Sequence, residues 1–466
     1  MGIKRYTADA DNTITNAYKS NLITRATGSN MGLSDSMEVF RIYGQQDSGS
    51  SELSRILVQF PISEITTDRN NGVLPGSGSV SFYLRLFNAK HPFTLPRNYD
   101  MIVSTISRAW DEGTGLDMED YSDSGSSNWT AASSNSAGVT AWTTAGGDYE
   151  AEPRFTASFV DGTEDIVLAV ERWIAGSRTN YGFGVRMENE TAFSSSYTKK
   201  FFARESEFFF SRPVIEARWD SATRDDRGNF MFSSSLATSE DNLNTLYLYN
   251  RVRGRLRNIP DIGTGQIYVS IYSGSANNSE PSGSRIVKVI DGTHVITDNP
   301  YVITGGYVST GIYSASFALT AAANPLTTAF DVWHSGTTQF ATSSFAPKKI
   351  ESLAYNPYSK YVINITNLRD RYYRNETAQF RLYTRNKDWQ PTIYVKASEV
   401  PENLLIDSGS FKIVRLVDNL DVVPFGTGSD KHTELSFDVS GSYFELDMDM
   451  LEAGYAYGVK FAFYDD

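Results

Sequence analysis

Hydrophobic and polar side chains alternate in short runs over nearly the whole chain. Residues 11–18 and 37–43 alternate in polarity from one residue to the next, and 54–60 is almost continuously apolar (Ile56, Leu57, Val58, Phe60) until Pro61 ends it. A period of two is that of a strand with one face in a core. The pattern resumes at 79–87 after the Gly-rich break at 72–78, and again at 181–187, 201–206 and 213–219. One stretch departs from it. Ile166, Val167, Val170, Trp173 and Ile174 recur at helical spacing, so 164–176 is predicted to be a helix that Gly176 can close.

Beyond a charged stretch at 220–226, further strand patterns occupy 246–250, 267–272, 311–319 and 329–333, then 361–365, 379–383, 411–415 and 457–463. Turn residues space them as in immunoglobulin-like sandwiches. The expectation is an all-β chain of three tandem β-sandwich domains, 1–224, 225–348 and 349–466. The first carries one short helix, the next two are immunoglobulin-like, and no repeat of fixed period is evident.

Composition agrees with that class. The chain has 466 residues, and at about 150 per domain three cores are affordable. Tyr (27) and Phe (27) are abundant, as β-rich chains favour. Carboxylates outnumber Lys plus Arg by 55 to 42, a formal charge of −13 that repels phosphate backbones, so nucleic acid is not expected as a partner. Without Cys there are no disulfides, thiolate nucleophiles or Cys-containing zinc sites. No run approaches the 18 or so apolar residues of a spanning helix, so membrane insertion is not expected. Lys4-Arg5 leads into Tyr6-Thr7-Ala8-Asp9 rather than an apolar run, and Tyr6 does not fit a myristoylation motif. The chain reads as made in a cytoplasm.

Four of the seven tryptophans, Trp110, Trp129, Trp142 and Trp173, fall between 108 and 184, which points to the centre of the largest core. Trp129 and Trp142 stand in a Ser, Gly and Asn-rich insertion (117–151), where they either stack on sugar rings or fold back onto the core; the core is the favoured reading. Asp111 and Glu112 are adjacent and would point to opposite faces of a strand, so they do not flank one glycosidic bond. Lys199-Lys200 and Arg251, Arg253, Arg255 and Arg257 are the basic clusters. The alternating arginines are expected on one strand or turn face, either solvated or paired with a carboxylate-rich neighbouring subunit. Asp117, Glu119, Asp120 and Asp123 lack calcium-loop spacing, and His91, His294, His334 and His432 lack ligand spacing. Gly263-Thr264-Gly265 and Gly305-Gly306 open no helix, and Gly274-Ser275 is a fragment of a nucleophile elbow. No catalytic residue, cofactor or metal is expected.

Taken in order, Ala8-Asp9-Ala10-Asp11-Asn12-Thr13-Ile14, Ser29-Asn30-Met31-Gly32, residues 54–60, Trp110-Asp111-Glu112-Gly113 and Asn180-Tyr181-Gly182-Phe183 resemble the DNRLRE-type domain over roughly residues 5–219. That family implies a jelly-roll-like sandwich, found in secreted carbohydrate-binding modules, some alginate-binding, and in structural proteins of tailed bacteriophages. It makes Trp110, Asp111, Glu112, Gly113, Trp173, Tyr181 and Gly182 the structural core of the motif. The lack of a secretion signal or an appended hydrolase or lyase domain favours the phage branch. The run 303–313 with 330–333 is similar to virion proteins of large marine phages. Together these imply a non-enzymatic virion component at the neck or collar, tail or head surface, a trimer or ring in contact with itself and other virion proteins. The alternative is a carbohydrate-binding adhesin, with Trp129 and Trp142 meeting a host surface glycan.

Overall fold

A computed structural model describes residues 1–90, 99–116, 126–157, 163–191, 196–278, 280–283, 289–290, 295–296, 302–320, 326–349, 360–387, 389, 403–426, 428 and 430–464. The chain folds as two compact units, an N-terminal one of Gly2–Asp220 with Gly426–His432, and a C-terminal one of Met1, Ser221–Phe425 and Thr433–Asp466. Both are mostly β with largely antiparallel sheets, as the alternation predicts. No helix among the described residues is long and apolar enough to cross a membrane.

The N-terminal unit runs β1 (Ile3–Thr7), β2 (Ala10–Thr15), β3 (Ser36–Tyr43), β4 (Ser51–Gln59), α1 (Ile62–Asn70), β5 (Ser81–Arg85), β6 (Met101–Ile106), β7 (Ala131–Asn135), β8 (Gly138–Ala141), β9 (Tyr149–Ala157), β10 (Thr163–Asp165), α2 (Val167–Ile174), β11 (Phe183–Met187), β12 (Tyr197–Phe202) and β13 (Val214–Arg218). One sheet has the order β1-β13-β5-β10; the other is β12-β3-β4-β11-β6-β9, with β2 also on β4. β4 explains why the larger sheet has cores on both faces. Ile56 and Val58 join the main core between the sheets, with Phe82, Leu84, Val103, Phe183 and Ile215. Leu57, on the opposite side of the strand, joins a second cluster with Ile14, Ile106, Trp110, Trp129, Ala132 and Trp142. The tryptophan-rich stretch is therefore not the centre of the largest core. Three of its four indoles build this smaller cluster, and only Trp173 reaches the main one.

The helix expected at 164–176 starts later, at Val167, because Thr163–Asp165 pairs with β5 as β10. Gly176, at φ 68°, follows its last turn. The unit also holds a second helix, α1, where one was expected. It begins directly after Pro61, buries only Ile62 and Ile65, and is joined to α2 by two 2.7 Å bonds from Arg69 to Glu171.

The C-terminal unit contains β14 (Phe232–Ser233), β15 (Asn244–Tyr249), β16 (Arg251–Val252), β17 (Arg255–Leu256), β18 (Ile267–Ser273), β19 (Val289–Ile290), β20 (Val295–Ile296), β21 (Ile303–Ser309), β22 (Ile312–Thr320), β23 (Ala329–Ser335) and β24 (Thr338–Phe345). The order β20-β19-β22-β21-β18-β23-β24, with β14 and β15 also on β22, surrounds a core that includes Phe230, Tyr313, Phe317, Trp333 and Phe345. Then come β25 (Tyr361–Ile365), β26 (Thr377–Asn386), β27 (Gly409–Arg415), β28 (Leu420–Val423), β29 (Ser436–Asp438), β30 (Gly441–Asp447) and β31 (Tyr457–Phe463). They form sheets β25-β26-β30-β29 and β28-β27-β31. Phe444 of β30 joins the two, its ring 4.4 Å from Phe411 of β27 and 5.0 Å from Phe380 of β26.

Candidate functional site

The residues that carry the family resemblance meet at one end of the larger N-terminal sheet. The buried Asn12 side chain donates to the Ser127 carbonyl (3.0 Å) and Oγ (2.8 Å) and accepts from the Met31 N–H (2.8 Å). Asn30 donates to the Glu112 and Ser127 carbonyls (2.7 and 2.8 Å) and accepts from the Gly115 N–H (2.9 Å). Glu112 takes a two-pronged bond from Arg204 (2.9 Å on each oxygen) and another from the Asp11 N–H (2.9 Å). The bonds to the Glu112 carboxylate are charge-assisted, and with the neutral bonds of Asn12 and Asn30 they fix the loops against the sheet.

Two glycines show how tight the join is. Gly113 lies at φ 88°, where a Cβ would stand 2.5 Å from the Asn30 amide, and Gly182 at φ 82°, where it would stand 2.2 Å from the Val58 carbonyl. Trp110 donates its indole N–H to the Tyr181 carbonyl (2.8 Å), and the Trp173 ring lies 4.8 Å from Phe183. Asp111 is exposed and Glu112 is committed to Arg204, so the two do not face one another across a cleft.

Trp129 and Trp142 are not on the surface. They are 7% and 5% exposed in the second cluster. The Trp142 indole donates to the Asn128 carbonyl (2.8 Å), while the Arg55 guanidinium lies 5.1 Å from the Trp129 ring and pairs with Glu190. Both indoles fold back onto the core, the favoured of the two readings, and neither is exposed for sugar stacking.

The Asp117, Glu119, Asp120 and Asp123 run, His91 and His294 lie outside the described residues. His334 hydrogen-bonds Ser270 (2.9 Å), and buried His432 stands 3.5 Å from Asp430. Lys199 is buried on β12, and burial pushes its ammonium down to about 8. Among the described residues no group of three or more His, Asp or Glu side chains could hold a metal ion.

Sequence reasoning missed a buried ionic cluster on β13. Glu216 lies opposite Arg5 of β1 and Tyr83 of β5, and its carboxylate is 2.8 Å from Arg5, 2.8 Å from Arg85 and 2.7 Å from Arg218. Arg218 is in turn 3.9 Å from Asp430, on the late segment Gly426–His432 that belongs to this unit. Burial opposes the Glu216 charge, but the three guanidinium groups hold its carboxyl well below the usual range.

The alternating arginines form a hairpin of their own in the C-terminal unit. Arg251 pairs with Leu256 and Val252 with Arg255, around a turn in which Arg253 (φ 52°) and Gly254 (φ 79°) are both left-handed. Directly opposed residues share a face of the ribbon. Arg251 and Arg255 therefore project from opposite faces, with Arg253 at the tip, which corrects the single arginine face expected from the alternation.

No protein-family profile and no curated protein matches the chain. Among solved structures it is similar to Salmonella alpha-2-macroglobulin reacted with methylamine, at 9% identity and a TM-score of 0.13, over 93% of this chain and 19% of that one. The chain thus spans about a fifth of that protein's length, and a likeness at this score carries no argument about fold or function.

Proposed function

We propose that the chain is a non-enzymatic structural subunit that acts by assembly, and that it serves in the virion of a tailed bacteriophage at the neck or collar, the tail or the head surface. One observation carries the structural part. The chemically capable residues of the motif are consumed by internal partners: Glu112 by Arg204, Asn12 and Asn30 by loop backbone, and Trp110 by Tyr181. What the surface offers instead is material for contacts. β9 ends the larger N-terminal sheet and β24 ends a C-terminal one, and open edges of this kind pair with neighbouring chains. The phage assignment rests on the ordered likeness of residues 5–219 to the DNRLRE-type pattern.

Peptide mass spectrometry of purified phage particles, quantified against a major capsid protein, tests the reading. The expected result is this chain at a reproducible stoichiometry, with a copy number matching a trimer or ring. Its absence from particles, with the protein free in the medium, overturns the virion assignment.

A further inference from the structure

The β16–β17 hairpin carries charge that its own unit does not use. Arg251, Arg253, Arg255 and Arg257 are all exposed, and among the described residues none has an ion-pair partner. Arg227, not far before them, shows the contrast, with both prongs on Asp331 at 2.6 and 2.8 Å. The hairpin is nevertheless held firmly at its base. The Asn250 N–H donates to the Gly311 carbonyl (2.8 Å), the Arg257 N–H to the Asn250 carbonyl (3.0 Å), and the Gly311 N–H to Asn258 (2.7 Å). Across β22 from β15, β21 exposes Tyr307 and Val308, and Val252 is exposed on the hairpin itself. Arginine and tyrosine are among the residues enriched at protein interfaces.

The charge limits what can face the hairpin. Lying on a two-fold axis, it would meet its own copy and bring four guanidinium groups against four. A partner must offer carboxylates, and must offer them around the hairpin, because Arg251 and Arg255 leave opposite faces. The chain itself supplies such a partner, since its acidic residues exceed its basic ones by 55 to 42 even with these four arginines counted. A polyanion such as nucleic acid would meet the repulsion of that same excess.

We infer that the arginine hairpin inserts into a carboxylate-bearing surface of a second copy of this chain. This rests on the assembly reading above and adds to it the contact. Its hydrogen bonds are those of arginine forks on carboxylates.

Sedimentation velocity of the full chain tests it, with a variant carrying Arg251→Glu, Arg253→Glu, Arg255→Glu and Arg257→Glu, and a second carrying Lys at all four positions. The wild type should self-associate at about 0.1 M salt and dissociate near 1 M, where the screening length falls from about 10 Å to about 3 Å. The Glu variant should remain monomeric with an unchanged thermal melt, and the Lys variant should still assemble. Equal assembly by the Glu variant overturns the hairpin contact and leaves the structural-subunit reading standing, whereas a wild type monomeric at every concentration overturns that reading as well. Retention of a short DNA duplex by the wild type alone, without self-association, overturns the choice of partner.

Discussion

Glu216 in the N-terminal unit and Asp225 in the C-terminal unit are both buried carboxylates close to arginine, yet they titrate in opposite directions. At Glu216, burial alone would raise the pKa, and Arg85, Arg5 and Arg218 outweigh it. At Asp225, burial wins and pushes the carboxyl up to about 6, although Arg227 is two residues away. The reason is that the Arg227 fork is already taken by Asp331. Asp226, raised to about 6 by burial and then by its carboxylate neighbours Asp225 and Asp407, shares the shortage. The same pattern recurs inside the N-terminal unit, where Arg204 is forked onto Glu112 and Asp11 rises to about 7. A nearby arginine thus offsets burial only when its planar fork is free to turn toward the carboxylate.

Breaking the well-supplied side of this comparison should have the largest effect. Glu216→Gln leaves three buried guanidinium groups around a neutral amide, and removing one partner of a buried ionic cluster costs about 3–5 kcal/mol. Hydrogen-exchange mass spectrometry should show protection falling on β1, β5 and β13. The folded Glu216 carboxyl is depressed, so its stabilisation is present above the usual carboxylate pKa of 4.5 and is lost as pH falls below it. The variant should therefore show less acid sensitivity than the wild type. Unchanged protection would mean that the arginines are satisfied without the charge.

The opposite test hands a fork back. Asp331→Asn removes the charge that occupies Arg227, at a cost of about 3 kcal/mol, the lower end of that range because Arg227 is partly exposed. Arg227 is then free for Asp225. In the wild type, carboxyls raised to about 6 hold protons that the unfolded chain has released, so their contribution to stability is lost as pH rises through about 6. Asp331→Asn should flatten that loss, measured as denaturation midpoints from pH 4 to pH 8. An unaltered pH profile would show that Arg227 does not turn.

Much of the scaffold could be read from the sequence, because alternation is a local signal. The strands at 37–43, 54–60 and 213–219 are β3, β4 and β13 to within a few residues, and the apolar spacing of Val170 and Trp173 marks α2. α1 was not legible, since its sequence from Ile62 is polar and β-branched (Ser63-Glu64-Ile65-Thr66-Thr67) and buries only two apolar residues. The core placement of Trp129 and Trp142 is the favoured reading despite their polar surroundings, whereas their partners, the Asn128 carbonyl and Arg55, have no local signal. The alternating arginines were legible but not their splitting between two faces, because Arg253-Gly254 lacks the Asn or Asp that usually announces such a turn. The Glu216 cluster had no local signal at all, because Arg5 and Arg85 lie 211 and 131 residues away from it.

Asp11 allows the smallest and cleanest test, because the starved carboxylate and its occupied arginine sit within one unit. One carboxylate oxygen accepts the Arg204 N–H, and the other is buried with no hydrogen-bond partner among the described residues. Burial raises the folded pKa to about 7, with Glu112 and Glu205 adding to it and Arg204 opposing, while the unfolded group titrates near 3.8. Between those values the folded chain holds a proton that the unfolded chain has lost, so this contribution to stability falls as pH rises and is gone above about 7. Asp11→Asn keeps an acceptor for the Arg204 N–H and removes the charge. Its denaturation midpoint should match the wild type near pH 4 and exceed it at pH 8. If the two midpoints differ equally at both pH values, Asp11 is ionised and satisfied throughout, and the occupancy of the Arg204 fork does not govern its neighbour.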